Sequence, residues 1–422
     1  MFTTKLSNER KNKIWEKIFM KNKNIKNFNG ERLKSARIYR GFSVSELAEK
    51  LDLQRQTISM YETGEIENPA QYIIKKMSEI LDFPEEFFKQ NDNSNLKYGS
   101  IYFRSLLTTE KKYRNQQEEK IKIIAQIYEF LNEYLTFPRL NLPDRTEKDI
   151  RENYEIEELA MTLRDYWKLG LKPIDNIVYL AEQNGITVIS FESDSNAVDA
   201  FSKIINDSKE TYYFIGYSRN KNTAARIHFD IAHELGHILM HEWSEDIEAI
   251  SKETFREREQ QAHNFASALL LPKETFKSDL LRLNPTSLLS YQELKKKWKV
   301  SMGAMIRRAY NLELMTSSDY QLLNRQMQKY GMKKQEPFDD IMITAVPSLL
   351  STAITMIIEA NVLTSAELIR DLSLNIALNP HEIEQLLVLP NGILDNKDRI
   401  PMHELEFKIY RPDENGSEEI EI

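Results

Sequence analysis

His233-Glu234-Leu235-Gly236-His237 decides how this chain is interpreted, because two histidines four residues apart flank a glutamate. On an α-helix, residues i and i+4 project from one face, so both imidazoles can bind one metal ion while Glu234 reaches a water molecule beside it. No proline interrupts the surrounding run from Thr223 to His241, which predicts one continuous helix. The alternative interpretation is a buried amphipathic helix that merely carries histidines.

A catalytic zinc ion also needs a third protein ligand and an open fourth position. The next predicted helix begins near Arg256 and carries Glu259 and His263 on one face, beside an apolar stripe of small residues. Spacing alone leaves both of them as candidate ligands. The metzincin arrangement HExxHxxGxxH is excluded, because no glycine follows the motif between Ile238 and Asp246.

Two longer stretches resemble the ImmA/IrrE metallopeptidase family. They are Arg226-Ile-His-Phe-Asp-Ile-Ala-His-Glu-Leu-Gly-His-Ile-Leu-Met-His241 and Glu259-Gln-Gln-Ala-His-Asn-Phe-Ala-Ser-Ala-Leu-Leu-Leu-Pro272. The similarity spans about residues 150 to 337 and includes Val198-Asp-Ala-Phe-Ser202, the stretch 298–309 and Gln335-Glu-Pro337.

This resemblance implies a zinc metallopeptidase with Zn²⁺ as its cofactor. Its metal ligands would be His233, His237 and Glu259, and Glu234 would be the catalytic base. In this chain Gln261 and His263 replace the Glu and the Asn or Asp that are usual in the family.

The amino-terminal part carries a second motif. Ser43-Val-Ser-Glu46 is a capping box that opens a short helix, and Asp52 turns the chain into a second helix that begins near Gln54. An Asp can occupy the left-handed conformation that this turn needs. The pattern is similar to the XRE-type helix-turn-helix, whose second helix enters the major groove of DNA.

Five polar residues at the start of that second helix are the predicted DNA contacts. Gln and Arg side chains can form paired hydrogen bonds with adenine and guanine, and Ser and Thr can bind phosphates. A bundle that binds only protein is the alternative. The predicted contacts are Gln54, Arg55, Gln56, Thr57 and Ser59.

The whole chain has a formal net charge of −8, but its amino-terminal region is basic, which supports double-stranded DNA as a partner. Residues 1–40 contain twelve Lys or Arg against three Glu, which is typical of a phosphate-binding arm. There are no cysteines, so disulfides and thiolate zinc sites are excluded. The first residues lack a long apolar run, so we expect a cytoplasmic protein without a membrane span, with a homodimer as one possible assembly.

These features predict a multidomain, mainly α protein. The expected order is a basic arm (1–29), an all-α helix-turn-helix bundle (30–90), a hinge with a connector helix (91–144), an α+β minimal zincin-like peptidase domain (145–337) and a helical C-terminal region with an acidic tail (338–422). Within the peptidase domain, three strands near 186–191, 198–205 and 211–217 precede the metal helix.

The predicted function is a site-specific endopeptidase that carries its own DNA-binding domain. Family resemblance implies that the substrate is a helix-turn-helix repressor whose cleavage relieves repression in stress response or in mobile-element and phage control. His228, Tyr212 and His263 are candidates for stabilising the oxyanion. Two alternatives are a transcriptional regulator that uses the zincin-like domain as a sensor, and a partner-binding component of a toxin-antitoxin or phage-defence pair.

Overall fold

The computed structural model describes residues 16, 27–91, 96–103, 111–143, 153–192, 200–206, 211–219, 223–241, 250–395, 409–411 and 418–420. Over these residues the protein is mainly α-helical and has several domains, as predicted. The basic arm before residue 27, the start of the predicted peptidase domain at 145 and most of the acidic tail lie outside the described residues.

Among the described residues up to 132 there are five helices, a 3-10 turn and one strand. They are α1 Gly30–Tyr39, α2 Val44–Leu51, α3 Arg55–Thr63, α4 Gln71–Leu81, a 3-10 turn Glu85–Lys89, β1 Lys97–Phe103 and α5 Lys111–Asn132.

The remaining elements form the metal-motif region and the carboxy-terminal part. They are α6 Asn153–Tyr166, α7 Ile177–Gln183, β2 Ile186–Phe191, β3 Ala200–Asn206, β4 Thr211–Ser218, α8 Ala224–Met240, α9 Lys252–Leu270, α10 Lys273–Leu281, α11 Leu288–Trp298, α12 Met302–Asn311, α13 Ser317–Lys329, α14 Leu349–Glu359, α15 Ser365–Ser373, α16 Pro380–Leu387, β5 Ile409–Arg411 and β6 Glu418–Ile420.

Local chemistry fixes the helix-turn-helix as the sequence predicted. The Ser43 hydroxyl accepts from the Glu46 backbone N–H while the Glu46 carboxylate accepts from the Ser43 N–H, so the capping box is complete. Asp52 ends α2 with φ of 57°, in the left-handed region. Three apolar residues of α2, Leu47, Ala48 and Leu51, are buried, which holds α2 against its neighbours.

The sheet has the strand order β1-β3-β4-β2. Strands β2 and β4 are parallel, whereas β3 is antiparallel to both of its neighbours. Strand β1 was not predicted from the sequence, because it lies in the segment interpreted as hinge and connector. Strands β2, β3 and β4 agree with the three predicted strands to within two residues at each end.

Successive residues of a strand face opposite sides of the sheet, and β3 shows this division clearly. Ala200 and Ile204 pack into the core formed with α6 to α13, whereas Phe201 and Ile205 pack into a second core. That second core joins the helix-turn-helix bundle, α5 and the C-terminal helices. The sheet therefore separates the metal-motif side of the molecule from the DNA-binding side.

Helices α8 and α9 approach each other closely on the metal-motif side. A Cβ added at Gly236 of α8 would lie only 3.2 Å from the Ala262 Cα of α9, so small residues at these two positions allow the close contact. The buried Arg164 donates to the Leu269 carbonyl, and the buried Arg308 donates to the Leu271 carbonyl at 3.1 Å. These hydrogen bonds satisfy carbonyls at the end of α9 and fix its position.

The C-terminal helices dock on the helix-turn-helix bundle. The Tyr39 hydroxyl donates to Glu382, whose carboxylate also lies 2.8 Å from Arg40. His381 contacts Asp82 at 3.0 Å. Among the described helices, none combines the length and apolarity that a membrane span requires.

Candidate metal centre and nucleic-acid interface

The metal motif brings three predicted ligands together at the crossing of α8 and α9. The Nε2 atoms of His233 and His237 lie 3.0 Å apart, and the Glu259 carboxylate lies 3.3 Å from His233 and 3.1 Å from His237. Tetrahedral ligands at about 2.0–2.1 Å from a zinc ion lie roughly 3.3 Å from one another. Two imidazole nitrogens and a carboxylate at this spacing therefore fit a zinc ion.

Glu234 lies on the same helix and is fully buried. The Ser202 hydroxyl of β3 donates to its Oε2 atom at 2.5 Å, and Ser202 is also fully buried. Because this hydrogen bond restricts the side-chain rotamers of Glu234, it holds the carboxylate in one orientation. The sequence indicated Glu234 but gave no role to Ser202, which is distant along the chain.

A chain of hydrogen bonds orients His237. Gln261 Oε1 lies 3.0 Å from His241 Nε2, and His241 Nδ1 lies 2.8 Å from His237 Nδ1. An amide oxygen only accepts, so His241 carries its proton on Nε2 and accepts on Nδ1 from His237. The Nε2 lone pair of His237 is then available to a metal ion. The spacing of His241, four residues after His237, is the signal that could have indicated this role.

His263 also lies at the centre. The ligand atoms of His233, Glu259 and His263 all lie within 4.8 Å of one another, and the His263 ring centroid is 4.8 Å from that of His233. The choice between Glu259 and His263 therefore does not follow from proximity alone. Glu259 differs from His263 in that its two oxygens contact both histidines of the motif.

The other two oxyanion candidates, His228 and Tyr212, have different surroundings. His228 is buried, and its burial, together with the nearby charge of Lys299, lowers its pKa to about 4. Tyr212 packs against Tyr128 of α5, with ring centroids 5.0 Å apart, in the core on the opposite side of the sheet. Of the three candidates, His263 is the one that lies beside the metal-motif histidines.

A cleft of about 810 Å³ extends from His263 between α8, α9, α12 and α13. Its walls mix amide and hydroxyl side chains with charged groups of both signs. On α9, the polar residues Gln260, His263, Asn264 and Ser267 line it and share one helical face.

The predicted DNA contacts lie at the start of α3. Gln54, Arg55 and Gln56 are exposed, whereas Thr57 and Ser59 are half-buried. Ile58, between Thr57 and Ser59 in the sequence, is fully buried. Helix α3 thus presents a polar face to solvent while its apolar face holds it in the bundle.

A buried ion pair fixes the orientation of α3 relative to α1. Arg37 and Glu62 form a bidentate contact with N···O distances of 2.5 and 2.8 Å, and Arg37 also donates to the Phe42 carbonyl at 2.9 Å. Two parallel hydrogen bonds fix geometry as well as charge. The ion pair therefore holds α3 in one orientation relative to α1.

Two segments of the chain match known protein families. Residues 181–310 match the IrrE N-terminal-like domain of peptidase family M78. Residues 33–88 match the helix-turn-helix family. The predicted fusion of an IrrE-like domain with an amino-terminal helix-turn-helix DNA-binding domain is therefore confirmed. A search of curated proteins finds no match to the chain.

The M78 match begins in α7 and ends in α12, so it includes the metal motif and α9. The helix-turn-helix match includes α2 and α3 with all five predicted DNA contacts. The matched domain comes from a peptidase family, and the described residues include a group that could hold a metal ion.

Proposed function

We propose that this protein is a zinc-dependent, site-specific endopeptidase whose DNA-binding domain brings it to its target. The observation that carries the proposal is the convergence of His233, His237 and Glu259 at 3.0–3.3 Å beside the buried Glu234. Resemblance to the family adds the expected substrate, a helix-turn-helix repressor that is cut to relieve repression.

His233, His237 and Glu259 would hold the zinc ion. When bound, it would polarise a peptide carbonyl and lower the pKa of water from about 16 towards about 7. Glu234 accepts the proton of the attacking water and later returns it to the leaving amine. Ser202 holds Glu234 in the rotamer that this transfer requires, through the 2.5 Å hydrogen bond to Oε2.

His263 is the side chain best placed to assist the reacting carbonyl. It lies beside His233 and lines the cleft between α8, α9, α12 and α13. An imidazole N–H donated to a developing oxyanion is strongest where water is excluded. Its role in this proposal is therefore transition-state stabilisation, whereas Glu259 is the third ligand.

The proposal is tested with Glu234→Gln, and Glu257→Gln on the exposed face of α9 is the matched control. Gln keeps the shape of Glu but accepts no proton at neutral pH. New protein amino termini, identified by mass spectrometry after incubation with a cell extract, should appear with wild type and the control but not with Glu234→Gln. Zinc content and duplex DNA binding should be the same in all three.

A regulator with a sensing zincin-like domain is the second candidate, and one observation favours it. The helix-turn-helix bundle and one face of the sheet share a continuous hydrophobic core, so the two parts can influence each other without any cleavage. A transcriptional reporter separates the two functions. Wild-type reporter output in cells that carry Glu234→Gln, with no cleaved protein detected, would contradict the peptidase proposal and support the sensor.

A further inference from the structure

Strand β1 forms one edge of the four-stranded sheet, next to β3, whose Ser202 contacts Glu234. It pairs antiparallel with β3, from Lys97 opposite Asn206 to Phe103 opposite Phe201. The segment lies between the two family matches, which end at residue 88 and begin at residue 181. Strand β1 is therefore a feature of this chain outside its matched domains.

The position of β1 matters because of what β3 contacts. Tyr102 of β1 is the register partner of Ser202, and the Ser202 hydroxyl donates to Glu234 at 2.5 Å. Any extended segment that pairs with this edge of β3 thus runs past the catalytic glutamate. Main-chain hydrogen bonds along an open sheet edge are a common way for proteins to bind an extended peptide.

The pairing of β1 is irregular, which makes it replaceable. The register shifts between Tyr98 and Ile101, so the two residues between them, Gly99 and Ser100, interrupt the regular ladder. A regular segment without this interruption would form more ladder hydrogen bonds with β3 than β1 does. Strand β1 can therefore be displaced by a better partner.

The flanking segments tie β1 to the DNA-binding side. Leu96, directly before β1, is buried in the core shared with the helix-turn-helix bundle. Lys203, the register partner of Ile101, is fully buried and contacts Glu118 of α5 at 2.8 Å. On the same helix, Glu119 accepts from Ser35 of α1 at 2.6 Å. Both the strand and the edge that it covers are thus connected to the bundle.

We propose that the β3 edge is the peptide-binding surface of this protein and that Lys97–Phe103 occupies it in the resting state. An extended segment of a substrate protein binds by replacing β1 and pairs with β3 beside Glu234. This inference rests on the proposed function in naming the displacing segment as substrate. The occupancy of the edge is itself measurable without any cleavage.

The test compares Tyr102→Pro with Tyr102→Ala in a Glu234→Gln background, so that a bound peptide is not cut. Proline removes a backbone N–H and disrupts the strand pair, whereas alanine removes only the side chain. The probe is a fluorescein-labelled peptide with the sequence Leu96–Phe103. In Tyr102→Pro we expect at least tenfold tighter peptide binding and at least tenfold faster hydrogen exchange in β3 than in Tyr102→Ala.

Equal peptide affinity and equal β3 exchange in the two variants would overturn the proposal. A cross-link gives a second, independent measurement if Tyr102→Pro does not fold. The natural chain has no cysteine, so Lys97→Cys with Asn206→Cys can form only one intramolecular disulfide. Directly opposite residues in antiparallel strands have Cα atoms about 4.5–5.5 Å apart, within the range for a disulfide.

Oxidation of the cross-linked variant should slow β3 exchange and weaken binding of the labelled peptide, each by at least tenfold relative to the reduced form. Unchanged exchange and binding would show that β1 does not leave the edge, and the proposal would be wrong. Neither measurement depends on proteolysis. A protein that cuts no substrate but passes both tests would contradict the proposed function and leave the inference about β1 intact.

Discussion

The candidate metal centre and helix α3 differ in how far their polar side chains are exposed to solvent. At the candidate metal centre, His233, His237 and the partly buried Glu259 lie 3.0–3.3 Å apart, and further hydrogen bonds from α9 and β3 orient His237 and Glu234. On α3, Gln54, Arg55 and Gln56 are exposed and held only by the helix beneath them. Buried polar groups need hydrogen-bond partners within the protein, whereas the exposed polar groups of α3 remain accessible to DNA.

The largest expected effect concerns zinc binding at the candidate metal centre. Wild-type protein should carry about one zinc ion per chain. Loss of a group that hydrogen-bonds to a metal ligand reduces metal affinity by about 10–100-fold. Because Glu259 is proposed as a direct ligand, Glu259→Ala should reduce zinc affinity by more than about 100-fold. Zinc is measured by mass spectrometry after dialysis. Glu257→Ala, on the exposed face of the same helix, should keep its zinc. Retention of zinc in Glu259→Ala together with its loss in His263→Ala would make His263 the third ligand.

A second prediction concerns the protonation of His228, which lies on the same helix as the candidate ligands His233 and His237. Burial holds the pKa of His228 at about 4, below its usual 6.5, so the unfolded chain takes up a proton first as the pH falls. The contribution of neutral His228 to stability is therefore fully present above about pH 6.5 and is lost between pH 6.5 and 4. The loss is on the order of 3 kcal/mol.

This prediction is checked by chemical denaturation of the chelated protein at pH 7 and at pH 4.5. His228→Phe should show a smaller difference in the free energy of unfolding between the two pH values than wild type does. Chelation removes the contribution of metal release from both proteins. An equal pH dependence in the two proteins would mean that His228 is not the buried neutral histidine described above.

A third prediction concerns the hydrogen-bond chain behind His237. Gln261→Leu removes the acceptor for His241 and should weaken zinc binding by about 10–100-fold. Gln261→Glu keeps an acceptor and should retain near wild-type affinity. Gln260→Leu, at the neighbouring exposed position, is the control for the loss of an amide. Equal zinc affinity in Gln261→Leu and wild type would show that His237 needs no such support.

The candidate ligands His233 and His237 and the helix-turn-helix were predictable because their signals are local. The HExxH spacing and the Ser43 capping box each depend on residues within one or two helical turns. The contact of Ser202 with Glu234 joins residues 32 positions apart, and no periodicity reports it. Strand β1 has little alternating pattern, since Gly99 and Ser100 interrupt it, so its pairing with β3 followed only from the fold.

The smallest expected effect concerns the exposed residues of α3 and their binding to DNA. Arg55→Ala should weaken binding to a preferred duplex by about 1–3 kcal/mol if its guanidinium contacts a base. Binding is measured by fluorescence anisotropy of the full-length protein at several salt concentrations, and affinity should fall steeply as salt rises because phosphate contacts release counterions. Lys75→Ala, an exposed charge on α4 of the same bundle, is the control. Equal losses in Arg55→Ala and Lys75→Ala would show that α3 contributes only charge, and no duplex binding at low salt would make the bundle a protein-binding module.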